Sequence, residues 1–548
     1  SQPMANDDET IWITFNGEIY NYVEIRNDLE KKGFIFKTKS DTETLIHLYE
    51  HCGLDMFDYI NGMFAFCLYD SIKKVSILAR DRFGEKPLYF FEYGGRLIFG
   101  SELKAVNCYP GINFDYDLSG IAQFMKLGYI PAPRTHLKNI KKLGPAEYLI
   151  KKSNFKSTIK KYWKLDRPNY IIKNKFDAID GIKSHLIESL KIRLRSDVPL
   201  AAFLSGGIDS SLVCSLIRDE FNYDLTTICA GFEDEGYGEQ NYASQVAKSI
   251  DSNHINIDFD EKILLEKFDD LVNHLDEPLD QPSIFPTYEI SRQAKDSGFT
   301  VMMSGDGGDE IFGGYLQWYE YNNWKFLKKN TNINYLASQI KKYYTGRGIS
   351  LIEYLSTNGK YSLEKENYTV INYFNPDHKK EVKKGIDEIR LRNEKYDNLE
   401  FPKNRMHNLL LEFYLPEQVL VKVDRATMYA SIESRTPFLD HRLIEFVNQI
   451  PIEMHFNSNF GKVLLRELLP NKIPKNIKVR QKQGFNAPME NWFRTSLKEK
   501  LIDSIGKVSN SQIFSQNEDY QDLHDRLLHG ENVSEELFKW FILSKKIL

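Results

Sequence analysis

A chain of 548 residues is longer than one hydrophobic core normally holds, so two domains are expected. With 42% hydrophobic and 27% charged residues the balance is that of a globular enzyme, and the formal charge of −5 lacks the basic footprint of a nucleic-acid-binding domain. No apolar run reaches the length of a membrane span, the first residues carry no charged-then-apolar leader, and the five cysteines (Cys52, Cys67, Cys108, Cys214, Cys229) are scattered without CxxC spacing, all of which predicts a cytoplasmic enzyme with reduced thiols.

Residues 1 to about 150 read mainly as short strands: IWITF, FAFCLYD, KVSILARD, KPLYFFEY, RLIFGSE and AEYLIKK. One helical stretch, residues 41–53, opens on a capping pattern and closes on glycine. That mixture predicts an α+β sandwich over residues 1–153. The polar, basic segment 154–174 reads as a linker. Apolar residues at helical spacing over 175–195 open a second domain, 175–548, where PLAAFL, LTTICAGF, HINIDF and FTVMMSG alternate with helices. This order predicts a doubly wound parallel sheet. Beyond Gly313 the chain is rich in Tyr, Lys and Asn and then helical to the end, with residues 318 to about 400 read as a place for insertions.

The most informative stretch is VPLAAFLSGGIDSSLVCSLI, residues 198–217. An apolar strand runs into SGGIDS and then into a helix. Gly206 and Gly207 let backbone N–H groups approach a ligand, and Ser205, Ser210 and Ser211 add hydroxyls at a helix N-terminus, a setting for an anion. Asp209 is a lone carboxylate among donors, suited to a cation that bridges phosphate oxygens. A bare glycine turn is the plainer alternative. A second loop, SGDGGDE at residues 304–310, follows the strand FTVMM and carries three acids that would repel one another unless a cation shares them, although Asp306 or Asp309 could instead cap a turn.

SGGIDSS resembles the pyrophosphate loop of ATP pyrophosphatases, and no GxxxxGK[ST] lies near it. Together with FNGEIYNY, ARDRFGEKPLY, SGDGGDEIFGGY, VKVDRATM and ESRTPFLDHRL, in that order along the chain, it makes the sequence similar to the glutamine-dependent asparagine synthetases of the B type. The resemblance implies an α/β two-domain fold: an N-terminal-nucleophile-type sandwich, its start missing, then a doubly wound ATP-pyrophosphatase sheet with a helical C-terminal part. It implies ATP and Mg²⁺ as cofactors, with Asp209 and Asp309 as metal ligands, Asp306 assisting acyl-adenylate formation where many members carry glutamate, and Lys462 near the transferring phosphoryl groups. Phe203, Ala230, Ser304 and Gly305 would lie against adenosine, beside the phosphate loop of Ser205, Gly206, Gly207, Asp209, Ser210 and Ser211. Lys482 is a second cation in a family-like stretch. Arg425 and Arg435 read equally as ion-pair partners or site residues, and Asp276 and Glu277 as site neighbours or a solvated turn. Gly238-Glu239 replaces the family's Asp-Glu.

In the first domain the resemblance implies a glutamine pocket: Asn16 and Gly17 as an oxyanion hole, Glu18 and Asp41 on the substrate's α-ammonium. Taken alone, Asn-Gly is a hairpin signal. The family's nucleophile is an N-terminal cysteine, whereas SQPMAND matches an interior stretch, so the cysteine is expected upstream. Ser1, with hydroxyl and free amine, is the alternative. The reaction implied is conversion of aspartate to asparagine through β-aspartyl-AMP, with ammonia from glutamine, or amidation of another carboxylate such as a sugar uronic acid or a cell-wall acid. A homodimer is implied by analogy, with no nucleic-acid or membrane partner.

Overall fold

The computed structural model describes residues 2–153, 155–166, 170–231, 239–259, 261–315, 369–394, 407–457, 459–482, 484, 487–515 and 519–548. Most of the stretch 318–400, together with Gly238, Gln483 and Phe485, lies outside them.

The first part contains β1 Met4–Ala5, β2 Ile11–Ile19, β3 Gly62–Asp70, β4 Val75–Arg80, β5 Tyr89–Tyr93, β6 Arg96–Gly100, β7 Lys141–Lys142, β8 Glu147–Lys152 and β9 Thr158–Lys161. They form a six-stranded sheet, β1-β2-β3-β4-β8-β9, and a three-stranded sheet, β6-β5-β7, with antiparallel pairings throughout. Successive side chains of β3 point to opposite faces and so build two cores. Phe64, Phe66 and Leu68 pack with Leu45, Ile46 and Leu48 of the helix Asp41–Cys52. Ala65, with Leu78 and Leu149, packs against Phe90 of the smaller sheet and the preceding Leu88. This is the expected α+β sandwich.

Two local readings change. Asn16-Gly17 is no hairpin: both residues sit inside β2, paired with Ala65 and Phe64 of β3. Glycine is required there because a Cβ on Gly17 would lie 2.0 Å from the Met63 carbonyl oxygen. The predicted linker contains β9, an edge strand whose four residues are all exposed. Such a strand buries nothing and its lysines blunt the open edge, so its composition reads as linker.

The second part contributes β10 Leu200–Phe203, β11 Thr226–Gly231, β12 Asn253–Asp258, β13 Val301–Met303 and β14 Glu433–Arg435. They make one parallel sheet in the order β12-β11-β10-β13-β14. From β10 the chain builds outward first on one side and then on the other, so the topological switch point lies between β10 and β13. Ligands of such sheets sit beyond the carboxyl ends of the strands at that point. β14 falls where the sequence suggested only helix; three residues carry no measurable periodicity.

Alternate strand residues feed two cores. Leu200, Ala202, Val301 and Met303 face the helices Lys175–Arg193 and Ile208–Phe221, while Ala201, Ile228, Ala230 and Met302 face Ile284–Asp296 and the C-terminal helices. The helix Leu118–Leu127 joins the latter core although it precedes residue 153. Packing therefore crosses the boundary drawn from sequence. Among the described residues no helix is long and apolar enough to cross a membrane.

Candidate active site

The two glycine loops meet at the switch point. After β10, Ser205 Oγ accepts from Gly207 N at 3.2 Å and lies 3.1 Å from Ser210 Oγ, which shapes the entry to the helix Ile208–Phe221. After β13, the Ser304 hydroxyl donates to the Asp306 carboxylate and accepts from Asp306 N at 3.2 Å. The loops touch because glycines allow it. A Cβ on Gly308 would sit 2.6 Å from the Asp209 carboxylate, and one on Gly305 would sit 2.9 Å from Ser210 N.

Lys462 closes the seam. Its ammonium pairs with Asp209 of the first loop and, at 2.6 Å, with Asp309 Oδ1 of the second. Lys482 takes the other oxygen of Asp309 at 2.8 Å. Burial pushes the Asp209 carboxyl up, and Asp309 adds to that effect while Lys462 opposes it. Burial acts the same way on Asp309, yet Lys462 and Lys482 together outweigh it and hold that carboxyl low. Beside them Glu310, hydrogen-bonded by the Tyr315 hydroxyl, is pushed up to about 7 by burial and by the Asp309 charge.

These groups line a cavity of about 1210 Å³. Its wall includes Phe203, Ser205, Gly207, Asp209, Ser210, Ala230, Ser304, Gly305, Asp306, Asp309 and Lys462, all drawn from the sequence as candidates. Gly206 and Ser211 stand apart from that wall. Gly206 has φ +67°, and a Cβ there would lie 2.6 Å from Tyr242, so a neighbouring helix already requires glycine at this position. The Ser211 hydroxyl is fully buried.

Sequence reasoning passed over Arg480 and Lys422, both on the cavity wall. Arg480 donates to the Ser205 carbonyl at 2.9 Å and to Glu239 at 3.0 Å, bracing the first loop from outside. Its signal was its place two residues before Lys482. The solvated-turn alternative for Asp276 and Glu277 does not hold. Asp276 is buried against Arg425 at 2.8 Å, and Glu277 against Lys142 at 2.9 Å. Arg425 and Arg435 are ion-pair partners; Arg435 also donates to the carbonyls of Arg193 and Arg195.

In the sandwich, Asn16 donates to Ser101 Oγ at 3.1 Å, and Asp41 accepts from Ile19 N at 3.0 Å at the start of its helix. Glu18 lies 3.6 Å from Arg435 of β14, so the two halves touch here. Burial raises Glu18 to about 7, with Arg435 pulling it down and Asp41 pushing it further up. Burial also raises Asp41, against its backbone hydrogen bonds. Ser1 lies outside the described residues. Cys67 is pushed up to about 12 by burial, which makes it a poor nucleophile.

Comparison with known proteins gives these half-sites a context. The family model described as glutamine amidotransferase domain matches residues 1–163. The model described as asparagine synthase matches residues 181–542. The chain is 31% identical over 524 residues to asparagine synthetase [glutamine-hydrolyzing] 1 of Bacillus subtilis, an alignment covering 92% of this chain and 80% of that protein. It is 29% identical over 511 residues to asparagine synthetase [glutamine-hydrolyzing] 3 of the same organism, covering 88% and 77%. It is 27% identical over 557 residues to amidase chyE of Penicillium rubens, covering 92% and 81%. Among solved structures, a glutamine phosphoribosylpyrophosphate amidotransferase from B. subtilis aligns over 56% of this chain and 64% of that one, at 15% identity and a TM-score of 0.22. The chain belongs to the asparagine synthase family, ATP-dependent ligases that hydrolyse glutamine to obtain the nitrogen they transfer.

Proposed function

We propose that the second half activates aspartate as β-aspartyl-AMP and passes it to ammonia, giving asparagine. The observation that carries this reading is Lys462, held between Asp209 and Asp309 where the two loops meet. A carboxylate oxygen of aspartate attacks the α-phosphorus of ATP; the bond to the β-phosphate breaks and pyrophosphate leaves. Ammonia then adds to the acyl carbon, the bond to AMP breaks, and a proton is lost. Lys462 and Lys482 supply fixed positive charge where pyrophosphate charge grows, at a place already ordered before the reaction. Backbone N–H groups at the start of the helix Ile208–Phe221, with Ser205 and Ser210, hold the phosphate chain, while Phe203 and Ala230 pack against adenosine. Asp306, held by the Ser304 hydroxyl, lies beside the acyl group.

Asp209 and Asp309 fit Mg²⁺. Among the described residues the buried Asp209 Oδ1 has no hydrogen-bond partner, and magnesium is commonly held by one or two carboxylates plus substrate phosphates. Bound there, it would neutralise pyrophosphate charge. In the first half, Asn16 and the Gly17 N–H form the oxyanion hole, and Glu18 with Asp41 takes the α-ammonium of glutamine.

A second reading changes the acceptor to a larger carboxylate such as a sugar uronic acid or a cell-wall acid. It is favoured by a cavity of about 1210 Å³, above the roughly 300–1,000 Å³ of ordinary small-molecule sites. Exchange of radiolabelled pyrophosphate into ATP, run with a panel of carboxylates, tests both. Stimulation by aspartate is expected; stimulation by a uronic acid and not by aspartate would replace the first reading with the second.

A further inference from the structure

Among the described residues three lysines line the cavity, and two of them are spoken for. Lys462 is bound to Asp209 and Asp309, and Lys482 to Asp309. Lys422 differs: among the described residues it has neither a hydrogen bond nor an ion pair. It projects from the first turn of the helix Leu420–Tyr429, immediately after the π-helical segment Leu410–Val419. Such local unwinding is frequent at functional sites. Val423 and Thr427 of the same helix line the cavity with it, as do Gln281 and Ser283 from the opposite turn. A partly buried ammonium without a counter-ion is costly unless a ligand supplies the charge.

We infer that Lys422 is a specificity-determining residue that binds the second carboxylate of the acceptor, the one not activated by ATP. The inference rests on the proposed reading of this cavity as an adenylation site. The seam cations Lys462 and Lys482 already serve the phosphate end. Lys422 lies within electrostatic reach of Asp306, the residue proposed to sit beside the acyl group, as well as of Lys482 and Glu310, and bonds to none of them. Burial holds its ammonium below the usual lysine range, opposed by Asp306 and Glu310 and reinforced by Lys482. An acceptor carboxylate docked there would favour the charged ammonium. A dicarboxylate would then bind with one carboxylate on Lys422 and the other directed at the α-phosphorus, a placement that a monocarboxylate cannot copy.

The test uses the full chain, with Lys422→Met and Lys422→Arg beside the wild type. Pyrophosphate exchange is titrated separately with ATP, aspartate and β-alanine, which keeps the activated carboxylate and lacks the other. Loss of one charge-assisted hydrogen bond should raise the aspartate KM about ten- to a hundredfold in Lys422→Met, leave the ATP KM within about twofold, and erase the preference for aspartate over β-alanine. Lys422→Arg should restore most of that preference. An ATP KM rising in parallel would assign Lys422 to phosphate, and an unmoved aspartate KM would leave it no recognition role; either overturns the inference. If aspartate does not stimulate the wild type, the aspartate reading fails by itself, and the same titrations with the carboxylate that does stimulate decide the role of Lys422. Should that carboxylate carry a single acidic group, the inference falls.

Discussion

The proposed nucleotide cavity and the proposed glutamine pocket handle their carboxylates in opposite ways. In the cavity, Asp209 and Asp309 share Lys462, with Lys482 behind them, so acid is matched by base before any ligand arrives. In the proposed glutamine pocket, Glu18 and Asp41 are both half-buried, and Arg435, 3.6 Å from Glu18, is also committed to Glu433 at 2.7 Å. Both pocket carboxyls are raised as a result. Each imbalance describes what is to bind. The pocket has surplus negative charge, suited to an ammonium group. The cavity has ordered cations beside Asp209 Oδ1, which has no hydrogen-bond partner among the described residues, an arrangement suited to a phosphate chain.

Removing the shared cation should break this contrast most severely. Lys462→Met leaves two buried acids face to face, and pyrophosphate exchange should fall by about a hundredfold or more. A variant that retained wild-type exchange would show that the pairing is only structural. Gly308→Ala should come next, because its methyl would press on Asp209 at 2.6 Å. A loss of exchange of about tenfold or more is expected, from the sensitivity of aligned groups to small displacements, with ATP protecting the variant from thermal unfolding less than it protects the wild type.

On the other side, Glu18→Gln should weaken glutamine binding about tenfold in a calorimetric titration, the share of one charge-assisted contact. Because Glu18 titrates near 7, wild-type glutamine binding should tighten as pH rises from 6 to 8, and the variant should lose most of that slope. A slope unchanged in Glu18→Gln would assign the pH dependence to another group.

The smallest effect concerns stability. Glu310 sits near 7 in the folded chain against an ordinary 4.5, so between those values the folded state keeps a proton that the unfolded state has lost. Its contribution is complete below about 4.5 and disappears as pH rises through 7. Glu310→Gln should therefore flatten the pH dependence of the denaturation midpoint, by an amount of the order of 1 kcal/mol between pH 5 and 8. A steeper dependence in the variant would reverse the assignment.

How far the sequence could be read follows the same physics. Strands that bury one or both faces were legible as alternating or continuous apolar runs, and both glycine loops stood out because strand, glycines and acids were contiguous. What escaped was held together by distance in the chain. β14 is recognisable only as the neighbour of β13, and β9 buries nothing that would leave an apolar mark. The helix Leu118–Leu127 looks like any amphipathic helix until its partners in the C-terminal half are known. Lys462 was picked out through family resemblance, but its contact with the first loop alone spans about half the chain. Lys422 has no local signature, because what distinguishes it is the partner that it lacks among the described residues.

The central claim is that the loops around Lys462 split ATP between its α- and β-phosphates. Incubating the chain with ATP, magnesium, aspartate and ammonia and separating the nucleotides tests it directly. The account requires AMP and pyrophosphate to form in step with asparagine. Accumulation of ADP and inorganic phosphate instead would contradict it.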